Sequence, residues 1–236
     1  MSSAKATAEG TVGPLGRILK SSVGNKVLMA VSGLGLVGFI VAHLSGNLLV
    51  FAGPEAMNSY AKGLRAFPSL LWGARFGLLA CAVIHVVTAI RLTRQNRAAR
   101  PEGYRRPGRV QTTLGSRTMV LTGLLLLAYA IYHLAHFTWG LTDPDIAAAH
   151  ANVDAYSMVV IGFQKPLVVV TYVIANALLG LHLSHGIASM FQTVGLTNAT
   201  YQPILEKLGV ALAILLTLGF LSIPIAAFAG LLPLPA

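Results

Sequence analysis

Five long apolar stretches dominate this chain, Val27 to Phe51, Leu70 to Ile90, Met119 to Gly140, Pro166 to Phe191 and Ile204 to Phe228. Each reaches the roughly 20 residues that an α-helix needs to cross a hydrocarbon layer about 30 Å thick. The rest of the composition agrees, with 55% hydrophobic residues, 10% charged residues and a mean hydropathy of +0.72 over 236 residues. A soluble domain of this length cannot hide so much apolar surface. No period-two alternation supports a membrane β-barrel. The expectation is therefore an all-α integral membrane protein, a five-helix bundle filling residues 1–236 as one transmembrane domain. Its helices are predicted over approximately 24–51, 70–94, 117–140, 158–191 and 204–229, after a cytoplasmic segment 1–22.

Basic residues set the expected orientation. Lys5, Arg17, Lys20 and Lys26 precede the first helix, and Arg91, Arg94, Arg97, Arg100, Arg105, Arg106, Arg109 and Arg117 fill the link between the second and third. Both segments are expected on the cytoplasmic side, because flanking Lys and Arg are retained there. The link between the third and fourth helices carries Asp143, Asp145 and Asp154 and is expected outside, with Trp72 and Trp139 at the same interface. The topology predicted is N-in, C-out. A net charge of +10 could suggest nucleic acid, but the arginines concentrate in a membrane-flanking loop. Lipid headgroups, or a cytoplasmic protein docking on this face, are the expected partners rather than nucleic acid. Residues 1–20 lack the apolar run of a cleavable signal peptide, so the first helix is expected to insert as its own anchor. The sequon Asn198-Ala199-Thr200 falls on the predicted cytoplasmic side, where it would be inert.

Histidines stand inside four of the five stretches: His43, His85, His133 or His136, and His182 or His185. An ionisable ring in hydrocarbon is costly and marks a functional site unless packing explains it. The group that needs two opposed imidazoles is haem iron. With one cysteine, Cys81, and no C-x-x-C-H sequence, four-cysteine cluster ligation and covalent haem attachment are both excluded. Cys81 is expected to serve small-residue packing one turn from His85. The bundle offers no carboxylate or thiolate cluster for another metal.

Depth tests the idea. At 1.5 Å per residue, His43 lies about 26 Å above Lys26 and His133 about 24 Å above Arg117. His85 lies about 14 Å from Arg94, and His182 about 15 Å from Gln192. Two layers roughly 10 Å apart follow, an outer one between helices one and three and an inner one between helices two and four. Helix tilt leaves His133 against His136 open, and favours His182 over His185 only weakly. The spare ring of each i, i+3 pair is expected to support a ligand or a propionate.

Gly33-Leu34-Gly35-Leu36-Val37-Gly38 spells G-x-G-x-x-G but lies within a membrane helix, not after a strand, so it carries no dinucleotide site. Gly35, Gly38, Ala42 and Ser45 form instead a small-residue stripe that admits a neighbouring helix or a flat macrocycle.

The run Val41-Ala42-His43-Leu44-Ser45-Gly46-Asn47, followed by Gly53-Pro54-Glu55-Ala56-Met57-Asn58, resembles the first helix and loop of the five-helix, two-haem cytochrome b subunits of succinate:quinone oxidoreductases. Ile84-His85, Tyr132-His133-Leu134 and Leu181-His182-Leu183-Ser184 fall where that family has its other ligands. The resemblance implies two haem b groups, held by His43 with His133 and by His85 with His182. It also implies a cytoplasmic flavoprotein subunit that oxidises succinate, an iron–sulfur subunit, and ubiquinone or menaquinone as the electron partner, all at a bacterial cytoplasmic (inner) membrane. Succinate chemistry would lie in those partners, since this chain has neither a flavin site nor cluster cysteines. Ser22 and Lys26 resemble the serine and basic residue that related anchors use at quinone, against the plainer reading of a helix start with a snorkelling lysine. Glu55, Tyr60 and His136 are candidates for an outer quinone contact. Fumarate-reducing members carry a glutamate two residues before the fourth-helix ligand, where this chain has Gly180, which puts that proton path in doubt. Two other readings are a cytochrome b subunit of a hydrogenase or formate dehydrogenase, and a haem-free transporter using its histidines for proton or ion transfer.

Overall fold

Residues 21–99 and 114–233 are described by the computed structural model; Lys5, Arg17, Lys20, Arg100, Arg105, Arg106 and Arg109 lie outside them. The described residues are 85% helical and contain no β-strand. Eight α-helices follow in order: α1 Ser22–Asn47, α2 Pro54–Arg65, α3 Pro68–Ala98, α4 Leu114–His133, α5 Pro144–Ala151, α6 Ala155–Gly162, α7 Pro166–Thr193 and α8 Gln202–Phe228. A 3₁₀ turn, Leu48–Ala52, prolongs α1, and a π turn, Leu134–Thr138, prolongs α4. Five of these segments are long and apolar enough to cross a membrane: Ser22–Ala52, Pro68–Ala98, Leu114–Thr138, Pro166–Thr193 and Gln202–Phe228. The protein is thus an all-α, multi-pass membrane bundle.

Proline places many of the boundaries. α2, α3, α5, α7 and α8 each begin with proline in the first turn, where its missing N–H costs no helical hydrogen bond. This explains why the fourth spanning helix starts at Pro166 and not near residue 158. Residues 155–162 form the separate helix α6, and the chain turns through Gln164 and Lys165 before Pro166 resets it. Ser21 caps α1 by accepting from Gly24 N at 2.9 Å, while Asp143 and Asp154 cap α5 and α6. Inside the spans, hydroxyls turn back onto their own helix, as Ser32 does on Leu28 O, Thr88 on Ile84 O and Thr217 on Ala213 O. Such back-bonding satisfies a polar group where no water is available.

α1 packs along α3 and α7, α4 along α7, and α8 along α7 with a lighter contact to α1. Taken as α3, α1, α7, α4, the helices form a four-helix bundle whose α3/α4 side lacks appreciable backbone contact, and α8 buttresses it from outside. The closest α7–α8 and α1–α8 approaches use glycine. A Cβ on Gly180 would stand 2.5 Å from Thr217 Oγ1, and one on Gly219 would stand 2.7 Å from Leu44 Cδ2.

The short helices α2, α5 and α6 close one end of the bundle, the end that also carries Trp72 and Trp139. An asparagine and an aspartate tie this cap together. Asn58 of α2 donates to Asp154 Oδ1 at 2.8 Å and accepts from Tyr156 N at 3.0 Å, while Ser157 donates to Asp154 through N and Oγ. Burial alone would raise the Asp154 carboxyl, but the hydrogen bonds from Ser157 and Asn58 outweigh it and hold the carboxyl below its usual range. Asp143 is also held down, chiefly by its ion pair with Lys165. α5 ends through Val153 at φ 58°, a left-handed conformation that strains a β-branched residue.

Candidate functional site

Where antiparallel helices meet, a glycine on the rising helix makes room for a histidine ring on its neighbour. A Cβ on Gly33 of α1 would lie 3.4 Å from His85 Cε1 of α3, and one on Gly123 of α4 would lie 3.4 Å from His182 Cε1 of α7. Ten residues beyond each glycine stands another histidine, His43 on α1 and His133 on α4. The two halves, α1 with α3 and α4 with α7, therefore repeat one local plan. Ten residues of helix separate the layers by about 15 Å. Depth counted from the flanking residues Lys26, Arg94, Arg117 and Gln192 gives a smaller separation, roughly 10 Å, because those flanks need not lie at one level.

The histidines then meet across the two halves. His43 and His133 have ring centroids 5.8 Å apart, and His85 and His182 have theirs 6.4 Å apart. Both pairs lie on diagonals of the bundle, α1 with α4 and α3 with α7, where the helix backbones make no appreciable contact. The histidine rings bridge those gaps. All four rings are half-buried.

Hydrogen bonds decide which nitrogen is available on the inner pair. His85 Nδ1 lies 3.3 Å from the Met29 carbonyl oxygen, which can only accept, so the proton is on Nδ1. His182 Nδ1 lies 3.1 Å from Thr122 Oγ1, and that hydroxyl donates to Thr118 O at 3.0 Å or Met119 O at 3.2 Å. Thr122 therefore accepts from His182. Both inner rings keep a bare Nε2, the arrangement by which a metal-binding imidazole is oriented from behind. Thr122 is itself buried.

The outer pair is less symmetric. His133 Nδ1 lies 3.1 Å from the Tyr172 hydroxyl, and His136 Nδ1 lies 2.9 Å from the same oxygen. His136 sits in the π turn, buried and stacked on Tyr132, behind His133 and not opposite His43. His43 stacks on Phe39 at 5.2 Å, and its nearest polar neighbour is the Asn47 amide, 3.3 Å from Nδ1 and 3.4 Å from Nε2. That amide nitrogen gives one proton to His43 O at 2.7 Å, and its second stands almost equally far from both ring nitrogens, so it does not set the tautomer. His185 is turned away from the inner pair; its Nε2 pairs with Ser189 on the same helix at 2.9 Å, and its Cβ packs beside Gly115.

Thr122 and Tyr172 escape a reading by residue type, because neither is unusual in a membrane helix. Antiparallel register was the available signal: the sum of residue numbers is 304 for Thr122 with His182 and 305 for His133 with Tyr172. Partners of the candidate histidines are found by keeping that sum constant.

The other expected positions are dispersed. Ser22 and Lys26 are exposed at the start of α1, at the end of the bundle opposite the short helices α2, α5 and α6. Ala30, one turn deeper, opens an apolar recess of about 110 Å³ that Val31, Leu34, Met190, Phe191, Val194 and Leu196 complete. Glu55 and Tyr60 lie exposed on α2, Tyr60 flat against Gly46, while His136 is buried away from them. Gly35 receives Cys81 Sγ, 3.0 Å from where a Cβ would stand, so that part of the small-residue stripe packs a helix; Gly38 faces open space. Gly180 lies against Thr217, whose Oγ1 would stand 2.5 Å from a Cβ there, so a side chain at 180 would need Thr217 to turn or α8 to shift.

Among the described residues no three His, Cys, Asp or Glu side chains converge as a metal site. Each pair thus offers two imidazoles and nothing more, which suits a metal that arrives with its own equatorial ligands. Two nitrogens each about 2 Å from a shared metal, with ring centres roughly 1 Å further back, put centroids roughly 6 Å apart. The observed 5.8 Å and 6.4 Å agree. Comparisons with protein-family models, with curated proteins and with solved structures each return no match for this chain.

Proposed function

We propose that this chain is a dihaem cytochrome b membrane anchor, the electron-transfer subunit of a succinate dehydrogenase. The observation that carries the reading is the pairing of four intramembrane histidines into two facing couples at haem-spanning separation, with the inner couple's Nδ1 protons held by Met29 O and Thr122. His43 and His133 would hold the outer haem b, and His85 and His182 the inner. Haem supplies a one-electron iron couple when bound. The chain contributes the rest. Met29 and Thr122 orient the inner imidazoles, the glycines Gly33 and Gly123 leave the rings space, and the apolar helices exclude water.

The order of partners follows from charge and from the resemblance. The end opposite the short helices, with Lys26, Arg91, Arg94, Arg97 and Arg117, faces the cytoplasm in this reading and receives the iron–sulfur and flavoprotein subunits. The capped end, with Asp143, Asp145 and Asp154, faces outward from a bacterial cytoplasmic membrane. Lys26 and Ser22 stand one and two turns from the recess at Ala30, so a quinone carbonyl at the polar rim would direct its ring toward apolar walls. Ubiquinone and menaquinone both meet that description.

Haem content tests the proposal. Purified protein should give two b-type haems per chain in the pyridine haemochrome spectrum. His85→Ala and His182→Ala should remove one spectral component, and His43→Ala and His133→Ala the other. Co-purification of a flavoprotein and an iron–sulfur subunit would assign the complex; a nickel- or molybdenum-containing partner would assign the chain to a hydrogenase or formate dehydrogenase instead. Absence of haem would overturn the reading.

A further inference from the structure

Tyr172 is nearly sealed inside the bundle, at 4% exposure, yet its hydroxyl serves two imidazoles on α4 and its π extension. A phenol has one proton to give and lone pairs to receive. With His133 and His136 both approaching through Nδ1, the single hydroxyl proton can serve one ring only, so at least one ring must donate to the oxygen. Resting on the proposed function, we infer that Tyr172 is the positioning residue of the outer haem: it accepts the Nδ1 proton of His133 and donates its own to His136 Nδ1.

The proposed ligation gives that direction, and the packing holds the groups in place. A ligand that uses Nε2 keeps its proton on Nδ1, so His133 is the donor. The hydroxyl proton is then left for His136, whose own proton moves to Nε2. The π turn after His133 keeps both nitrogens over one oxygen. The ring of Tyr172 is wedged edge-on against Tyr129, Phe137 and Phe163, with centroids 5.2 Å, 5.8 Å and 4.9 Å away, so the hydroxyl cannot swing off its partners. His136 thereby acts on the outer site through Tyr172, not as an alternative ligand. The counterpart position on α3, ten residues before His85, is Arg75, which lies over the Trp72 ring at 5.0 Å and leaves His43 without an equivalent acceptor. The outer haem is therefore steered from the His133 side.

An acceptor behind a ligating imidazole makes it more electron-rich and favours ferric iron. Tyr172→Phe removes the acceptor with little change of volume. In the membrane-extracted wild-type assembly and this variant, haem content, the low-temperature paramagnetic resonance of the ferric haems and a redox titration should be compared. The expected result is two haems retained, the midpoint of the His43/His133 haem shifted positive, its resonance altered, and the His85/His182 haem unmoved. A tenfold loss of ferric preference corresponds to about 59 mV for a one-electron couple. His136→Leu, which leaves the hydroxyl in place, should move the same midpoint less. Two haems with unmoved potentials in Tyr172→Phe would overturn this inference alone. Equal shifts or joint loss of both haems would overturn it too, since the tyrosine would then be packing. A wild-type protein without haem would sink this inference together with the function it rests on.

Discussion

Thr122→Val is the most incisive change at the inner site, because it deletes one oxygen and keeps the shape. Thr122 spends its proton on the preceding turn, 3.0 Å from Thr118 O, so its role toward His182 is purely that of acceptor at 3.1 Å. In the unligated protein that bond joins two neutral groups and contributes about 1 kcal/mol. When His182 ligates iron its N–H becomes a stronger donor, and bonds involving charged groups contribute about 1.5–3 kcal/mol. The difference, about 0.5–2 kcal/mol, is what haem binding in the proposed function would lose in the valine variant, a factor of roughly 2–30. Competition of the reconstituted protein with an excess of apomyoglobin, read by absorbance, measures this loss. One haem per chain should leave faster while the other stays. Thr122→Ser should behave as wild type, since it keeps the oxygen. Loss of both haems at equal rates, or a valine variant matching wild type, would refute the assignment of Thr122 as the acceptor behind His182.

Three further outcomes follow from the packing. Gly46→Ala puts a Cβ 2.6 Å from Cε1 of Tyr60, an exposed ring that can swing aside, and should lower stability by no more than about 1 kcal/mol, whereas Gly38→Ala, with nothing within 4 Å, should be neutral; detergent thermal melts compare the two. Val153→Asn relieves a β-branched residue at φ 58° and should stabilise by up to about 1 kcal/mol; a lower melting temperature would contradict the strain. The carboxyls of Asp143 and Asp154 are both held below their usual value of 3.8, so the cap they support is intact above that pH and weakens as pH falls through their lowered values. Hydrogen exchange of the α5 and α6 amides should be slow at pH 5 and should accelerate, relative to the intrinsic rate, only below pH 3.8; acceleration on raising the pH instead would reverse the sign.

Much of this architecture was legible in the chain itself. Runs of apolar residues as long as Leu70 to Ile90 leave only a spanning helix as an outcome, because backbone groups in hydrocarbon must be satisfied within the segment. Prolines at 54, 68, 144, 166 and 203 mark helix starts for an equally local reason. The histidines announced themselves by the cost of an ionisable ring in such a setting, and their spacing along each helix sorted them into two levels. Helix α6 was not legible as a separate element, since Tyr156 to Ile161 is as apolar as the span that follows Pro166.

Contacts between distant segments were decided only in three dimensions. Residue type does not distinguish His133 from His136, yet one ring faces His43 across the bundle while the other lies behind Tyr172. Thr122 looks like any small hydroxyl residue of a membrane helix until α7 brings His182 against it. Gly180 could have hosted a side chain until α8 placed Thr217 there. Hydrophobic length and local bond satisfaction are properties of one segment, so sequence alone determines them. Which nitrogen keeps its proton, and which ring meets which, depends on the register and rotation of helices whose contacting residues lie 39 to 60 positions apart.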